Sequence, residues 1–226
     1  LDQFQLEAIS AIDEGRSVLV AAPTSSGKTV LAEHAIDRAL KERKRVFYTA
    51  PIKALSNQKF LDFRERFGFE NVGILTGDVT VNSSAPVLVM TTEVLRNMLY
   101  AESAAVEKLA WVILDEVHYL EDPYRGPVWE EVILSLPKKV QIVALSATIS
   151  NVDQLGQWLT NVRGETQVVV HHERPVPLKL HYFATNRMKK KRELEITPLL
   201  LGNRVNPDGK KFLHVGKGAK KKDPYR

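Results

Sequence analysis

The chain has 226 residues, 44% of them apolar and 26% charged, and no cysteine. That size allows one good core with a short appendage, while the composition excludes disulfides and thiolate metal sites, and no apolar run approaches the roughly 18 residues of a membrane span. The formal charge of +5 is uneven: residues 186–226 carry 13 Lys and Arg against 4 Asp and Glu, and taking these from the totals of 32 and 27 leaves 19 and 23, a net of −4, for residues 1–185. If the globular part binds nucleic acid, a local face must do it, since the overall field repels phosphates. The first residue is Leu1 rather than Met, so the chain reads as a fragment. The absence of cysteine fits a reducing cytoplasm, and the lack of a spanning run leads to the expectation of no membrane partner.

Residues 2–12 read as a helix, with Leu1, Gln5, Ala8, Ile9 and Ile12 at helical spacing. Gly15-Arg16 then breaks into a short apolar strand, residues 18–21. From Lys28 the period changes: Leu31, Ala35 and Ala39 form one stripe, and Ala32, Ile36 and Leu40 lie beside it. Between strand and helix stands Ala22-Pro23-Thr24-Ser25-Ser26-Gly27-Lys28-Thr29, the phosphate-loop pattern with Ala in place of its first Gly. Successive backbone N–H groups can converge there on phosphate oxygens, Lys28 can reach the β- and γ-phosphates, and the Thr29 hydroxyl can hold Mg²⁺. The helix adds the positive end of its dipole. Without Gly-Lys-Thr such a loop would be a tight connection; with it, the segment reads as a nucleotide site. Ala resists positive φ, so ordinary backbone angles are expected at Ala22.

Residues 46–50 form a second strand, followed at once by Pro51 to Lys59 and a helical stripe of Phe60, Phe63 and Phe67 ending at Gly68. A third strand, residues 72–75, runs into Thr76-Gly77-Asp78, and Ser83 to Pro86 is a turn. Residues 87–90 form a fourth strand, after which Thr91-Thr92-Glu93 leads the helix 94–100. An N-cap role for Thr91 or Thr92 and a phosphate-contact role are compatible there. Further strands are expected at 111–114, ending in Asp115-Glu116-Val117-His118, at 142–145, ending in Ser146-Ala147-Thr148, and at 168–170. Strands rich in Val, Ile and Leu without alternation, separated by helix-like segments, predict a doubly wound α/β fold whose parallel sheet is covered on both faces. Ligands of such sheets sit beyond the strands' carboxyl ends, so Lys28, Pro51, Thr76, Thr91, Asp115 and Ser146 can share one rim.

Asp115 follows a buried strand and can hold Mg²⁺ through water opposite Thr29. Glu116 can take a proton from the attacking water or orient it. Alone, two acids ending a strand are as well explained by a solvated turn; the phosphate loop 87 residues earlier tips the reading to hydrolysis. His118 by itself reads as a structural histidine. In residues 184–226 the basic runs Lys189-Lys-Lys-Arg192, Lys210-Lys211 and Lys220-Lys-Lys222 alternate with Pro and Gly. A solvated linker and an RNA-touching arm are both open there.

The ordered set Ala22-Pro-Thr-Ser-Ser-Gly-Lys-Thr29, Ala50-Pro-Ile-Lys-Ala-Leu-Ser-Asn-Gln-Lys59, Thr76-Gly-Asp78, Met90-Thr-Thr-Glu-Val-Leu-Arg-Asn-Met98, Asp115-Glu-Val-His118 and Ser146-Ala-Thr148 resembles superfamily 2 helicases of the DEVH-box kind. More narrowly it resembles the superkiller/antiviral RNA helicases, especially a bacterial branch typical of actinobacteria. The resemblance covers residues 1–182 and implies a RecA-like P-loop NTPase domain at 1–183, the first of two, joined to a basic tail at 184–226. It implies ATP and Mg²⁺ as cofactors, with Ala22 to Thr29 on the phosphates, Thr29 and Asp115 on the metal, Glu116 as base and His118 as a coupling residue. Gln5 matches the adenine-reading residue of the Q motif, whose upstream aromatic partner is absent here. Ser146 and Thr148 match the motif linking hydrolysis to strand separation; Pro51, Lys53, Thr76, Gly77, Thr91 and Thr92 match segments gripping the tracking strand. The implied partners are single-stranded nucleic acid, RNA before DNA, the second RecA-like domain and an RNA-degrading nuclease. Nothing after Thr148 supplies the arginine motif of that second domain, so this chain is expected to bind nucleotide and barely turn it over. A nucleotide-dependent RNA-binding module and a DNA helicase of repair are the alternatives.

Overall fold

In β1 (Ser17–Ala21), Val18 and Val20 belong to one apolar core and Leu19 and Ala21 to another, and all four are fully buried. A strand sends alternate side chains to opposite faces, so a run without polar alternation requires cover on both sides. The structure, a computed structural model, describes residues 1–185, 194–202 and 204–207. The remaining strands of the main sheet are β2 (Arg45–Ala50), β3 (Val72–Leu75), β4 (Thr80–Val81), β5 (Val87–Thr91), β6 (Leu109–Leu114), β7 (Gln141–Ser146) and β8 (Thr166–Val170). They lie in the order β4-β3-β5-β2-β6-β7-β1-β8. Every pairing is parallel except the edge pair β3–β4. The two-residue β4 escaped the sequence reading because it is too short to carry a period, and both its residues are exposed.

Helices α1 (Gln3–Asp13), α2 (Thr29–Lys41) and α3 (Lys53–Phe67) cover the Val18 and Val20 side, burying Phe4, Ile12, Leu31, Ile36, Phe60 and Phe63. Helices α4 (Thr92–Tyr100), α5 (Gly126–Ser135) and α6 (Val152–Arg163) cover the other, burying Leu95, Trp129, Ile133 and Leu159. The predicted doubly wound architecture is therefore present. Register levels the carboxyl ends: Ala21 pairs with Ser146, Leu114 with Ala144, and Ala50 with Thr91.

Contacts divide the chain into two units, Leu1–Pro175 and Val176–Arg226. Within the second, β9 (His181–Thr185) pairs antiparallel with β10 (Leu194–Pro198), and β11 (Leu200–Leu201) with β12 (Arg204–Val205). The basic runs at 189–192, 210–211 and 220–222, on which the linker and RNA-arm readings rest, lie outside the described residues.

One buried cation fastens the far end of the first unit. The Arg163 guanidinium donates to the carbonyl oxygens of Leu136 at 2.5 Å, Pro137 at 2.7 Å and Val140 at 2.9 Å, gathering the loop between α5 and β7. Arg163→Met leaves those acceptors short of donors, and a loss of about 2–4 kcal/mol is expected, read as a lower urea midpoint with the slope unchanged.

Candidate nucleotide and nucleic-acid site

The loop after β1 begins with two ladder bonds: Ala22 N–H donates to Ser146 O at 3.2 Å and Ala21 O accepts from His171 N–H at 2.9 Å. Its turn is made by Ser25 at φ 69° and Gly27 at φ 85°, while Ala22 takes no positive φ, as expected. A Cβ on Gly27 would lie 2.6 Å from Gln5 Nε2, so glycine is required there by both angle and space. Lys28 leads α2, and its ammonium donates to Ala22 O at 2.7 Å and Pro23 O at 3.0 Å. Burial pulls the Lys28 pKa down, opposed by the charges of Glu116 and Asp115. The buried Ser26 hydroxyl has no hydrogen-bond partner among the described residues. An ammonium, an orphaned hydroxyl and a left-handed turn at the start of a helix are the features a polyphosphate requires, so the loop fits one.

Gln5 is 6% exposed and tied at both ends of its amide. Its Oε1 accepts from Asp2 N–H at 2.9 Å in a capping box, and its Nε2 donates to Gly27 O at 3.2 Å. Gln5 thus braces the phosphate loop, whatever else it reads. Beside it Phe4 stacks on His171, with centroids 4.5 Å apart and planes 18° apart. Both line a cavity of about 580 Å³ with Ser25, Gly27 and Arg174. The sequence reading found no aromatic partner upstream; this stack comes from the other end of the unit, after β8, where no spacing could announce it.

Across β7, Asp115 follows β6 and its backbone N–H donates to Thr49 O at 3.0 Å. One of its carboxylate oxygens accepts from Glu116 N–H at 3.0 Å and the other from the Tyr48 hydroxyl. Glu116 is left-handed at φ 55° and ψ 44°, a costly conformation for a residue with a side chain. Burial first, and then the neighbouring Asp115 charge, push the Glu116 pKa up. His118 Nδ1 stands 3.3 Å from Glu116 Oε2. Lys59, whose role sequence reasoning missed, brings its ammonium to 3.4 Å from Thr29 Oγ1. Its only sequence signal was its place at the end of the Pro51 to Lys59 run. Ser146 is fully buried and its hydroxyl has no hydrogen-bond partner among the described residues, whereas Thr148 is exposed. Thr29 Oγ1 and the Asp115 carboxylate are hard oxygen donors of the kind Mg²⁺ accepts.

Farther along the rim, Pro51, Lys53, Gly77 and Thr91 line one cleft of about 460 Å³ together with Asn97 and Arg125. Thr91 is itself buried, and the equally buried Thr76 and Thr92 are not among the residues lining the cleft. The Thr76 hydroxyl accepts from Val79 N–H at 3.2 Å and pairs with Asp78 at 3.0 Å, and Asp78 bridges Lys53 at 2.9 Å, so Thr76 shapes the turn that places Gly77. Thr91 occupies the N-cap of α4, yet its side chain makes no capping bond, and the buried Thr92 hydroxyl has no hydrogen-bond partner among the described residues. Capping therefore does not account for these two hydroxyls. Arg125, also missed, donates to Pro51 O at 3.3 Å and lies 5.4 Å over the Tyr119 ring. No motif spacing marks it, because only the fold brings the loop after β6 against the end of β2.

The family model for DEAD/DEAH box helicases matches residues 2–155. The chain is 56% identical over 188 residues to "Probable helicase HelY" of Mycobacterium tuberculosis, covering 83% of this chain and 21% of that protein. It is 52% identical over 184 residues to the human exosome RNA helicase MTR4, covering 81% of this chain and 18% of that protein. Among solved structures it is similar to Mycobacterium smegmatis helicase Lhr bound to ssDNA and AMP-PNP, with a TM-score of 0.62 and 32% identity over 76% of this chain and 26% of that one. The chain thus spans about a fifth of the length of these curated relatives.

A raised Glu116 pKa means that the folded state holds the proton more tightly than the unfolded chain. Stability is therefore lost as pH rises from the ordinary glutamate value through the folded pKa, and the ionised side chain carries that cost at neutral pH. Glu116→Gln is expected to raise the denaturation midpoint at pH 7, and the gain should vanish near pH 4, in urea titrations across that range.

Proposed function

The chain belongs to the DEAD/DEAH box helicase family, and from that premise we propose that it is the N-terminal RecA-like, ATP-binding domain of an ATP-dependent RNA helicase. The observation that carries this reading is the shared rim: the phosphate loop, the Asp115-Glu116 pair and the Pro51/Lys53/Gly77/Thr91 cleft all stand at the carboxyl ends of one sheet. Gly27, Lys28 and the loop N–H groups receive the phosphates, and the Phe4–His171 cavity beside Gln5 takes the base. Thr29 and Asp115 would hold Mg²⁺, which when bound neutralises phosphate charge. Glu116, its pKa raised toward the working range, orients the attacking water and takes its proton. Ser146, whose carbonyl accepts from Ala22 N–H, carries a shift of the loop to β7 and on to Thr148. His118, against Glu116, is placed to sense the same event. In the cleft, Lys53, Thr91 and Arg125 grip a nucleic-acid backbone, contacts that carry little sequence information.

The reading extends to the superkiller-type DEVH branch, supported by Asp115-Glu-Val-His118 and the likeness to an exosome RNA helicase. It places residues 1–183 in one domain and 184–226 in a tail, and it includes a cytoplasmic setting, a nuclease partner and a second RecA-like domain supplying transition-state arginines. Without such an arginine turnover drops about 10³- to 10⁵-fold, so this chain by itself would act as a nucleotide-dependent RNA binder. DNA as the tracking strand is the second reading, favoured by the likeness to Lhr, a helicase solved on ssDNA.

Lys28→Ala in the full-length protein is expected to abolish duplex unwinding, followed with a fluorophore–quencher strand pair, while its thermal melt stays put; retained unwinding would sink the assignment. ATP turnover of the full-length protein should rise more with single-stranded RNA than with DNA of matched sequence. Equal stimulation would favour the DNA-capable alternative.

A further inference from the structure

Among the side chains packed between the sheet and α1–α3, Tyr48 stands out by its chemistry. It sits in the middle of β2, 1% exposed, in a core built of Val, Ile, Leu, Ala and Phe, with its ring edge-on to Phe63 at 5.1 Å and 77°. A phenylalanine would fill that space as well, and a buried hydroxyl costs stability unless it finds a partner. Its partner is Asp115: the Tyr48 hydroxyl donates to Asp115 Oδ2. Strand geometry makes the meeting obligatory. Tyr48 pairs with Ile113 and Thr49 with Leu114 across β2 and β6, and the next residue, Asp115, is pinned by its N–H to Thr49 O at 3.0 Å. Alternation then turns the carboxylate to the Tyr48 side of the sheet.

We propose that Tyr48 is a positioning residue for Mg²⁺ binding, fixing the rotation of the Asp115 carboxylate from within the core so that its remaining lone pairs are presented in one orientation. The inference rests on the nucleotide reading above and deepens it. Asp115 Oδ1 is held by Glu116 N–H at 3.0 Å and Oδ2 by the Tyr48 hydroxyl, so the plane of the carboxylate is set from two sides. Each oxygen keeps a second lone pair for another partner. Partners that orient a metal-holding group typically contribute about 10- to 100-fold to metal affinity. The sequence-level motif stops at Asp115 and Glu116, whereas this contribution comes from a strand 67 residues earlier.

The test compares the 226-residue chain with its Tyr48→Phe variant, which keeps the ring against Phe63 and is expected to melt within a few degrees of it. Binding of a fluorescent N-methylanthraniloyl-ADP is titrated in EDTA and then across Mg²⁺ concentrations. In EDTA the two proteins should bind alike. The Mg²⁺ concentration giving half of the metal-dependent gain should rise about 10- to 100-fold in Tyr48→Phe. In an Asp115→Asn background the same substitution should add nothing to the Mg²⁺ requirement. An unchanged Mg²⁺ requirement would overturn the inference, as would an equal loss of affinity with and without Mg²⁺, which marks the hydroxyl as loop packing only. A parent chain that binds the nucleotide with no response to Mg²⁺ at all would overturn the metal reading itself, and this inference with it.

Discussion

The parallel register that runs from β1 through β7 to β6 is the constraint on which everything else depends. It brings the end of β1 level with Ser146 and the end of β6 level with Ala144, one strand apart on each side of β7. Because a parallel ladder leaves its hydrogen bonds no freedom to slide without moving every side chain to the opposite face, the phosphate loop and Asp115 cannot drift apart while the core stays packed. The bond from Ala22 N–H to Ser146 O ends the β1–β7 ladder, and that from Asp115 N–H to Thr49 O ends the neighbouring β2–β6 ladder. Chemistry begins one residue beyond them.

The cluster on that rim is electrostatically expensive. Lys28 is pulled down and Glu116 pushed up by burial, Asp115 lies beside both, and Glu116 adopts a left-handed backbone. Each of these features costs the folded state something, and the two well-packed cores on either side of the sheet offset it. A protein selected for stability alone would have no reason to assemble them in one place. Holding the donors and carboxylates rigid before a ligand arrives removes the cost of organising them afterwards.

The neighbouring cleft works on a different principle. Residues 1–185 carry a net charge of −4, so under the proposed reading Lys53 and Arg125 would attract a phosphate backbone over only a few ångströms. Lys53 is partly neutralised by Asp78, whose position is set by Thr76, and Arg125 is steered by Pro51 O and the Tyr119 ring. Such a surface favours a backbone laid along the rim over indiscriminate adhesion to polyanions. It also ties the loop after β6, which bears Asp115 and Glu116, to the end of β2.

Strand positions, the doubly wound architecture and the loop that joins β1 to α2 were legible in the sequence because each rests on local rules: apolar runs without alternation and a change of period at Lys28. The same locality explains Ala22, whose ordinary backbone followed from its side chain alone. Tertiary structure alone decided that Tyr48 meets Asp115, that Lys59 reaches Thr29, that Phe4 stacks on His171 and that Arg125 anchors to Pro51. It also decided that Lys53 and Thr91 line the cleft while Thr76 and Thr92 do not. Those pairings join residues tens of positions apart, and no periodicity encodes them. They follow from strand order, and strand order is fixed only when both faces of the sheet are buried at once.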